Sequence, residues 1–174
     1  MLTNWDYGNG EHALSIARRL LRYASRRVDQ KHAAPAKTIF SQLQDWSQRA
    51  ESRIKYYSGK ATYSNTFDWQ QIAPDGIFYI ALGQVYNMAS LRLNGSELGT
   101  VWCSPWRLRI GEGVLWEESN KLEIVVANLW VNRLIGDSGL AEEDRLTWLM
   151  EKPFHPDMPL EPSGLLGPVA IEGI

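Results

Sequence analysis

One cysteine, Cys103, is all that a chain of 174 residues carries, which excludes an internal disulfide and a thiolate metal cluster and removes the usual mark of a small secreted scaffold. Export itself stays open, because a domain with a full core can do without disulfides. Long apolar runs are missing too. None approaches the ~20 residues that span a bilayer, and Met1 to Gly10 lacks the apolar stretch of a signal peptide. The chain therefore reads as soluble and without an address. Nor does one sign of charge prevail: 18 Lys and Arg against 20 Asp and Glu leave a net charge of -2, so no global field draws the chain to nucleic acid or to an anionic membrane. Neither partner is expected. His12, His32 and His155 lie near no G-x-S-x-G elbow, and Cys103 precedes no recognisable partner, so no nucleophilic triad is legible.

Tryptophan is what the chain has in excess, with eight: Trp5, Trp46, Trp69, Trp102, Trp106, Trp116, Trp130 and Trp148. Indole is large and flat with one donor, so it serves a core, an interface or a sugar face equally well. A single domain of this length buries about 70% of its unfolded surface. There is room for a real core.

Two periods divide the chain near residue 35. From Glu11 to Val28 apolar residues recur at Leu14, Ala17, Leu21, Ala24 and Val28 among Arg18, Arg19, Arg22 and Arg26, a helical spacing that follows the turn residues Gly8-Asn9-Gly10. Its charge reads as a solvated face. Residues 1–35 are thus predicted to be a helical lead-in and residues 36–174 a second unit with a period of two. Ala61-Tyr63-Asn65-Phe67, Ala89-Leu91-Leu93, Trp106-Leu108-Ile110 and Leu122-Ile124-Val126 alternate with more polar neighbours, as half-buried strands do. Turn clusters separate them at Pro74-Asp75-Gly76, Asn94-Gly95, Gly111-Glu112-Gly113 and Glu118-Ser119-Asn120, Asn94-Gly95 being the strongest hairpin signal. The prediction is a mainly β protein, an antiparallel β-sandwich with an N-terminal helix. Between Ser138 and Ser163 the pattern lapses into charges and prolines, and a connection that long is more often functional or disordered than a neutral tether. Pro168 to Ile171 is predicted to be the closing strand.

Six motifs occur in a fixed order: FSQLQDWS (40–47), IKYYSGKATY (54–63), LRLNGSELG (91–99), VWCSPW (101–106), NKLEIVVANLWVNRLIGD (120–137) and SGLLGPV (163–169). Together they resemble the C-terminal β-sandwich of bacterial α-L-rhamnosidase-type glycoside hydrolases of family 106, and more widely the sugar-binding-like sandwiches of family 2 glycosidases. The resemblance covers roughly Val28 to the end. IKYYSG together with NLWVNRLIGD is its narrow part, whereas LNG..LG is common among galactose-binding-like sandwiches. It implies a galactose-binding-like or jelly-roll fold, an accessory role in a large hydrolase, and a periplasmic or extracellular location. It also implies a strand where Met1 to Arg27 reads as an arginine-rich helix. Proteins of this kind carry a separate catalytic barrel, which this chain is too short to hold.

The turn after the apolar strand gathers Trp130, Asn132, Arg133 and Asp137. One reading is a corner lock, with Arg133 paired to Asp137 or another acid and Trp130 packed beneath. The other is a sugar site, Trp130 stacking on a pyranose while Asn132, Arg133 and Asp137 take hydroxyls, or a docking point for the barrel. Trp102 stands before the bend Cys103-Ser104-Pro105 and belongs to the same tentative carbohydrate-binding set, whereas Trp106 shares a face with Leu108 and Ile110 and is assigned to the core. Trp116 is taken as a turn anchor, and Tyr56-Tyr57 as the start of an ordinary strand. No catalytic residue is assigned: glycoside hydrolysis needs two carboxyls about 5–10 Å apart across a cleft, and Glu142, Glu143 and Asp144 are a solvated run. The acids from Asp137 to Asp144 could hold structural Ca²⁺, but no ligand spacing supports it, and no cofactor is expected. The partners implied are a rhamnose-containing glycan or a catalytic glycosidase barrel. A free-standing carbohydrate-binding module and a purely structural interaction domain remain the alternatives.

Overall fold

The computed structural model describes residues 23–27, 37–70, 76–148 and 153–174. Within them the chain forms strands β1 (Tyr23–Arg27), β2 (Lys37–Phe40), β3 (Lys60–Phe67), β4 (Phe78–Ala81), β5 (Gln84–Tyr86), β6 (Met88–Leu93), β7 (Ser96–Val101), β8 (Arg107–Arg109), β9 (Asn120–Ala127), β10 (Gly164–Gly167) and β11 (Ala170–Gly173). Helices are short: α1 (Ser52–Lys55), α2 (Val131–Ser138) and 3₁₀ turns at Trp46–Gln48 and Glu142–Asp144. A six-stranded sheet in the order β2-β1-β3-β9-β6-β7 forms one layer, and the smaller sheets β11-β4-β8 and β10-β5 supply the other. The named strand pairs are antiparallel.

Alternation explains how the layers meet. Along β9, Asn120, Leu122, Ile124 and Val126 are buried while Lys121 and Glu123 are exposed, so a slip of one residue would bury two charges and expose four side chains. With full burial of each Leu, Ile or Val stabilising by about 1.5–3 kcal/mol, the register is strongly specified. Leu91, Leu122 and Ile124 of the large sheet join the same apolar cluster as Ile80, Val85, Leu165 and Ile171 of the smaller ones. The predicted antiparallel sandwich is what forms. Asn94 and Gly95 both take positive φ (51° and 85°) between Leu93 and Ser96, the geometry a two-residue hairpin requires.

One buried polar residue organises this end. Asn120 has no solvent exposure; its Oδ1 accepts from Trp116 N and Asn94 Nδ2, each at 2.8 Å, and its Nδ2 donates to Trp116 O at 2.6 Å. Asn94 in turn accepts from Lys121 N at 2.7 Å and donates to Val114 O at 2.7 Å. The hairpin tip and the 114–120 turn are thereby tied together.

The predicted helix from Glu11 to Val28 fails where it can be seen. Tyr23–Arg27 is β1, paired with β2 on one side and β3 on the other, so the large sheet begins ahead of residue 36. Hydrogen bonding to a strand on each side outweighs a helical period of moderate propensity. The rest of that predicted helix, and most of the 1–35 lead-in, lies outside the described residues, as do Pro74 and Asp75. Tyr56-Tyr57, predicted to start a strand, instead follow α1, and the Tyr56 backbone N–H bonds back to Ser52 O at 3.0 Å. β10 was not foreseen, because its GLLG sequence has no alternation; it is buried on both faces apart from one half-buried residue.

Tyr63 locks the two layers where they meet. Its hydroxyl accepts from Trp46 Nε1 at 2.6 Å and from Leu165 N at 3.3 Å. Burial pushes the phenol well above the ordinary tyrosine range, with the two donated bonds opposing. The folded protein therefore holds this proton more tightly than the unfolded chain, and the stability involved is intact below about pH 10 and lost as pH rises further. Tyr63→Phe is expected to cost about 2 kcal/mol at neutral pH, leaving two buried donors unpaired, and to lessen the alkaline loss. Urea unfolding at neutral pH and about pH 11 checks both.

Candidate functional site at the exit of β9

Two motifs distant in sequence meet where β9 ends. Asn128 Oδ1 accepts from Gly59 N at 2.9 Å and its Nδ2 donates to Tyr57 O at 2.7 Å, which staples NLWVNRLIGD to IKYYSG. Gly136 completes the joint: a Cβ there would lie 2.6 Å from Tyr56 Cγ. Only a glycine lets α2 approach so closely. Tyr57 itself is buried, stacks edge-on against Trp46 and donates to Lys60 O at 2.8 Å. Gly136→Ala would gain about 1 kcal/mol of helix propensity, yet overpacking against Tyr56 outweighs this, and we expect a net loss of about 1–2 kcal/mol by chemical denaturation.

The turn predicted after β9 is in fact a two-turn helix, α2. Its polar face is turned inward. Asn132, Arg133 and Asp137 are buried, and each bonds to the protein itself. Asn132 Nδ2 donates to Glu161 O at 2.7 Å while its Oδ1 accepts from Glu161 N at 2.8 Å. Asp137 Oδ2 accepts from Leu146 N at 3.0 Å, Thr147 N at 2.8 Å and Thr147 Oγ1 at 2.7 Å, and Oδ1 faces Arg133 Nη1 at 3.4 Å. Arg133 Nη2 has no hydrogen-bond partner among the described residues. Asn132 and Asp137 thus hold the long return from α2 to β10 against the helix, with Arg133 paired to Asp137. A sequence with no periodicity is anchored at 146–147 and again at 161.

The two tryptophans of the predicted set behave differently. Trp130 and Trp102 are 55% and 67% exposed. Trp102 follows β7 and Trp130 follows β9; because Ala89 pairs with both Val101 and Val126, both indoles stand at one end of the large sheet. Met88 and Leu129, also exposed, are at the same end. Trp130 does not pack beneath α2 as the corner-lock reading supposed. Trp106 does lie against the core. Trp116 exposes its ring while its backbone N and O are both held by Asn120.

Described residues line two hollows on the surface. One, of about 520 Å³, lies between α2 and the returning chain and includes Leu134, Ser138, Arg145, Trp148, Phe154 and His155. The other, of about 360 Å³, lies on the outer face of β6, β7 and β9, among Ser90, Arg92, Glu97, Thr100 and Glu123. Trp102 and Trp130 line neither. Sequence reasoning missed Arg145, Trp148, Phe154 and His155, since nothing in a proline-broken stretch places them together. Glu142, Glu143 and Asp144 form an exposed 3₁₀ turn. Among the described residues no group of three or more His, Cys, Asp or Glu side chains is placed to hold a metal ion, and no helix is long and apolar enough to cross a membrane.

A two-layer antiparallel sandwich with a two-turn helix and a long irregular return after one strand defines the class of domain. Its similar proteins are glycoside hydrolases. A rhamnosidase from Novosphingobium sp. PP1Y superposes with a TM-score of 0.83 and 34% identity over 97% of this chain and 16% of that one. A putative beta-glucuronidase of Formosa agariphila is 35% identical over 160 residues, 78% of this chain and 14% of that protein. A beta-glucuronidase from an uncultured Clostridium sp. shares the fold, with a TM-score of 0.64 at 18% identity, over 99% of this chain and 30% of that one. The chain therefore spans about a sixth or less of the two proteins it matches above 30% identity. No protein-family model matches it.

Proposed function

We propose that this chain is the C-terminal accessory β-sandwich of an α-L-rhamnosidase-type glycoside hydrolase of family 106, separate from the catalytic barrel and working against it. The observation that carries this is the likeness to the Novosphingobium rhamnosidase, which extends along nearly the whole chain yet takes up 16% of that protein. The surface supports the same reading. Met88, Trp102, Leu129 and Trp130 expose apolar area together at one end of the large sheet, where a monomer has little reason to concentrate it. That end is the face assigned to the barrel, and the working location is periplasmic or extracellular. Chemistry is not assigned to the chain itself: the acids of the 142–144 run are adjacent and exposed, not opposed across a cleft.

The test is hydrolysis of aryl α-L-rhamnoside and aryl β-glucuronide by the purified chain. No turnover above background is expected. Turnover that survives repurification and is abolished by Glu142→Gln or Glu143→Gln would make the chain an enzyme in its own right and end the accessory reading.

A further inference from the structure

We infer that the hollow between α2 and the returning chain is a binding site for a pyranose unit of a glycan, with Trp148 as its stacking platform. This rests on the reading of the chain as part of a carbohydrate-acting enzyme, and it places the sugar contacts on residues other than Trp102 and Trp130.

The volume, about 520 Å³, is within the range of small-molecule sites, roughly 300–1,000 Å³. Its lining has the mixed character a sugar requires: ring C–H groups pack against an aromatic face while hydroxyls take fixed donors and acceptors. Trp148, at 78%, is the most exposed of the described tryptophans, and Phe154 and Leu134 add apolar surface beside it.

Exposure alone would make Trp148 an ordinary surface residue; its mounting says otherwise. The two residues before it are held by one buried carboxylate, since Asp137 Oδ2 takes both Leu146 N and Thr147 N as well as the Thr147 hydroxyl. The indole therefore projects from a backbone fixed to α2. Arg145 is mounted as firmly. Its Nε and Nη2 both donate to Leu140 O, at 3.0 and 2.9 Å, a pair of bonds that does not use Nη1. His155 and Ser138 add polar atoms to the lining, though the Ser138 hydroxyl already donates to Ile135 O at 2.7 Å. A pre-set aromatic plane, a guanidinium held by two of its nitrogens and an imidazole bind a ring of hydroxyls with little ordering cost on the protein side.

This also gives Asp137 and Arg133 a meaning beyond a lock. Their pair holds the floor on which the platform stands, so they act on a ligand only through the position of Trp148.

The experiment is titration of the purified chain with a rhamnose-terminated oligosaccharide and, separately, a glucuronate-containing one. Tryptophan fluorescence and ligand-observed NMR report binding, with Trp148→Ala, Arg145→Ala and Trp102→Ala run beside the parent. Saturable binding is expected to at least one probe, weakened about tenfold or more by Trp148→Ala, worth about one pairwise aromatic contact. Arg145→Ala weakens it as well and Trp102→Ala leaves it within about twofold, while melting temperatures of the two tryptophan variants stay at that of the parent. Preference for the glucuronate probe that disappears in Arg145→Ala would assign an acidic sugar, and equal loss for both probes a neutral one. Binding that is indifferent to Trp148, or no binding to either probe, overturns the site while leaving the accessory reading to the hydrolysis assay.

Discussion

Asp137→Ala is expected to destabilise the protein by about 3–5 kcal/mol, the cost of stranding a buried charge by removing its partner. Two effects combine. Arg133, which is buried and has Asp137 as its ion-pair partner at 3.4 Å, keeps its charge with nothing to balance it, and the Leu146 and Thr147 amides lose the carboxylate that ties that part of the return chain to α2. Arg133→Ala is expected to cost less. It leaves a carboxylate that still accepts three hydrogen bonds, and it removes a guanidinium whose Nη2 is already without a partner among the described residues. A loss of about 1–3 kcal/mol is the expectation there. Denaturant unfolding of the two single variants and the double variant checks the order. Limited proteolysis between α2 and β10 shows whether the return chain detaches first, as a segment held mainly by polar staples would.

The second large effect is at Gly164. Its φ is +94°, and a Cβ there would lie 2.5 Å from Trp46 Nε1. That indole cannot retreat: it is 2% exposed and donates to the Tyr63 hydroxyl at 2.6 Å. Asp45 Oδ1 accepts from Ser163 N at 3.0 Å and Trp46 N donates to Ser163 O at 2.9 Å, so the strand cannot slide either. Gly164→Ala is expected to cost about 3 kcal/mol or more, since overpacking adds to the strain of a left-handed alanine. Gly95→Ala separates the two terms. Its φ is +85° but it has open space around the missing Cβ, and it should cost about 1–2 kcal/mol from backbone conformation alone. Equal losses at the two positions would mean that Trp46 can give way.

Both effects concern joints between motifs, and this is where the sequence was legible without being understood. FSQLQDWS meets SGLLGPV through Asp45, Trp46, Ser163 and Gly164. IKYYSG meets NLWVNRLIGD through Tyr56, Tyr57, Gly59, Asn128 and Gly136, and the LNG turn meets the start of β9 through Asn94 and Asn120. Each pair closes one corner of the sandwich. Read one at a time, Arg133 and Asp137 allow either a lock or a ligand; the hydrogen bonds pair them with each other and tie Asp137 to Leu146 and Thr147.

Period two found the strands that have one buried face, β3, β6 and β9, because alternation is the physical consequence of that burial. It was silent on β10, nearly buried on both faces, and misled on β1, where a helical spacing of Leu14, Ala17, Leu21 and Ala24 ran on into a segment that pairs on both edges. Helix α2 was hidden by its length and by Val131, Ile135 and Gly136, none a strong helix former; it stands because Ile135 is buried and three polar side chains bond inward. For the hollow around Trp148 the chain gives only the length of the 138–163 connection, not its residues, since Asp137 and not any local pattern fixes the backbone before Trp148.

The most direct test of the claim that the signature residues build the fold is a paired measurement on Arg133→Ala: thermal melting, and titration of the folded protein with a rhamnose-terminated oligosaccharide followed by tryptophan fluorescence. If the residues around α2 are joints, the melting temperature falls clearly and any affinity of the folded fraction falls only as far as Trp148 is displaced. An unchanged melting temperature with affinity abolished would make Arg133 a ligand-binding residue and contradict the claim.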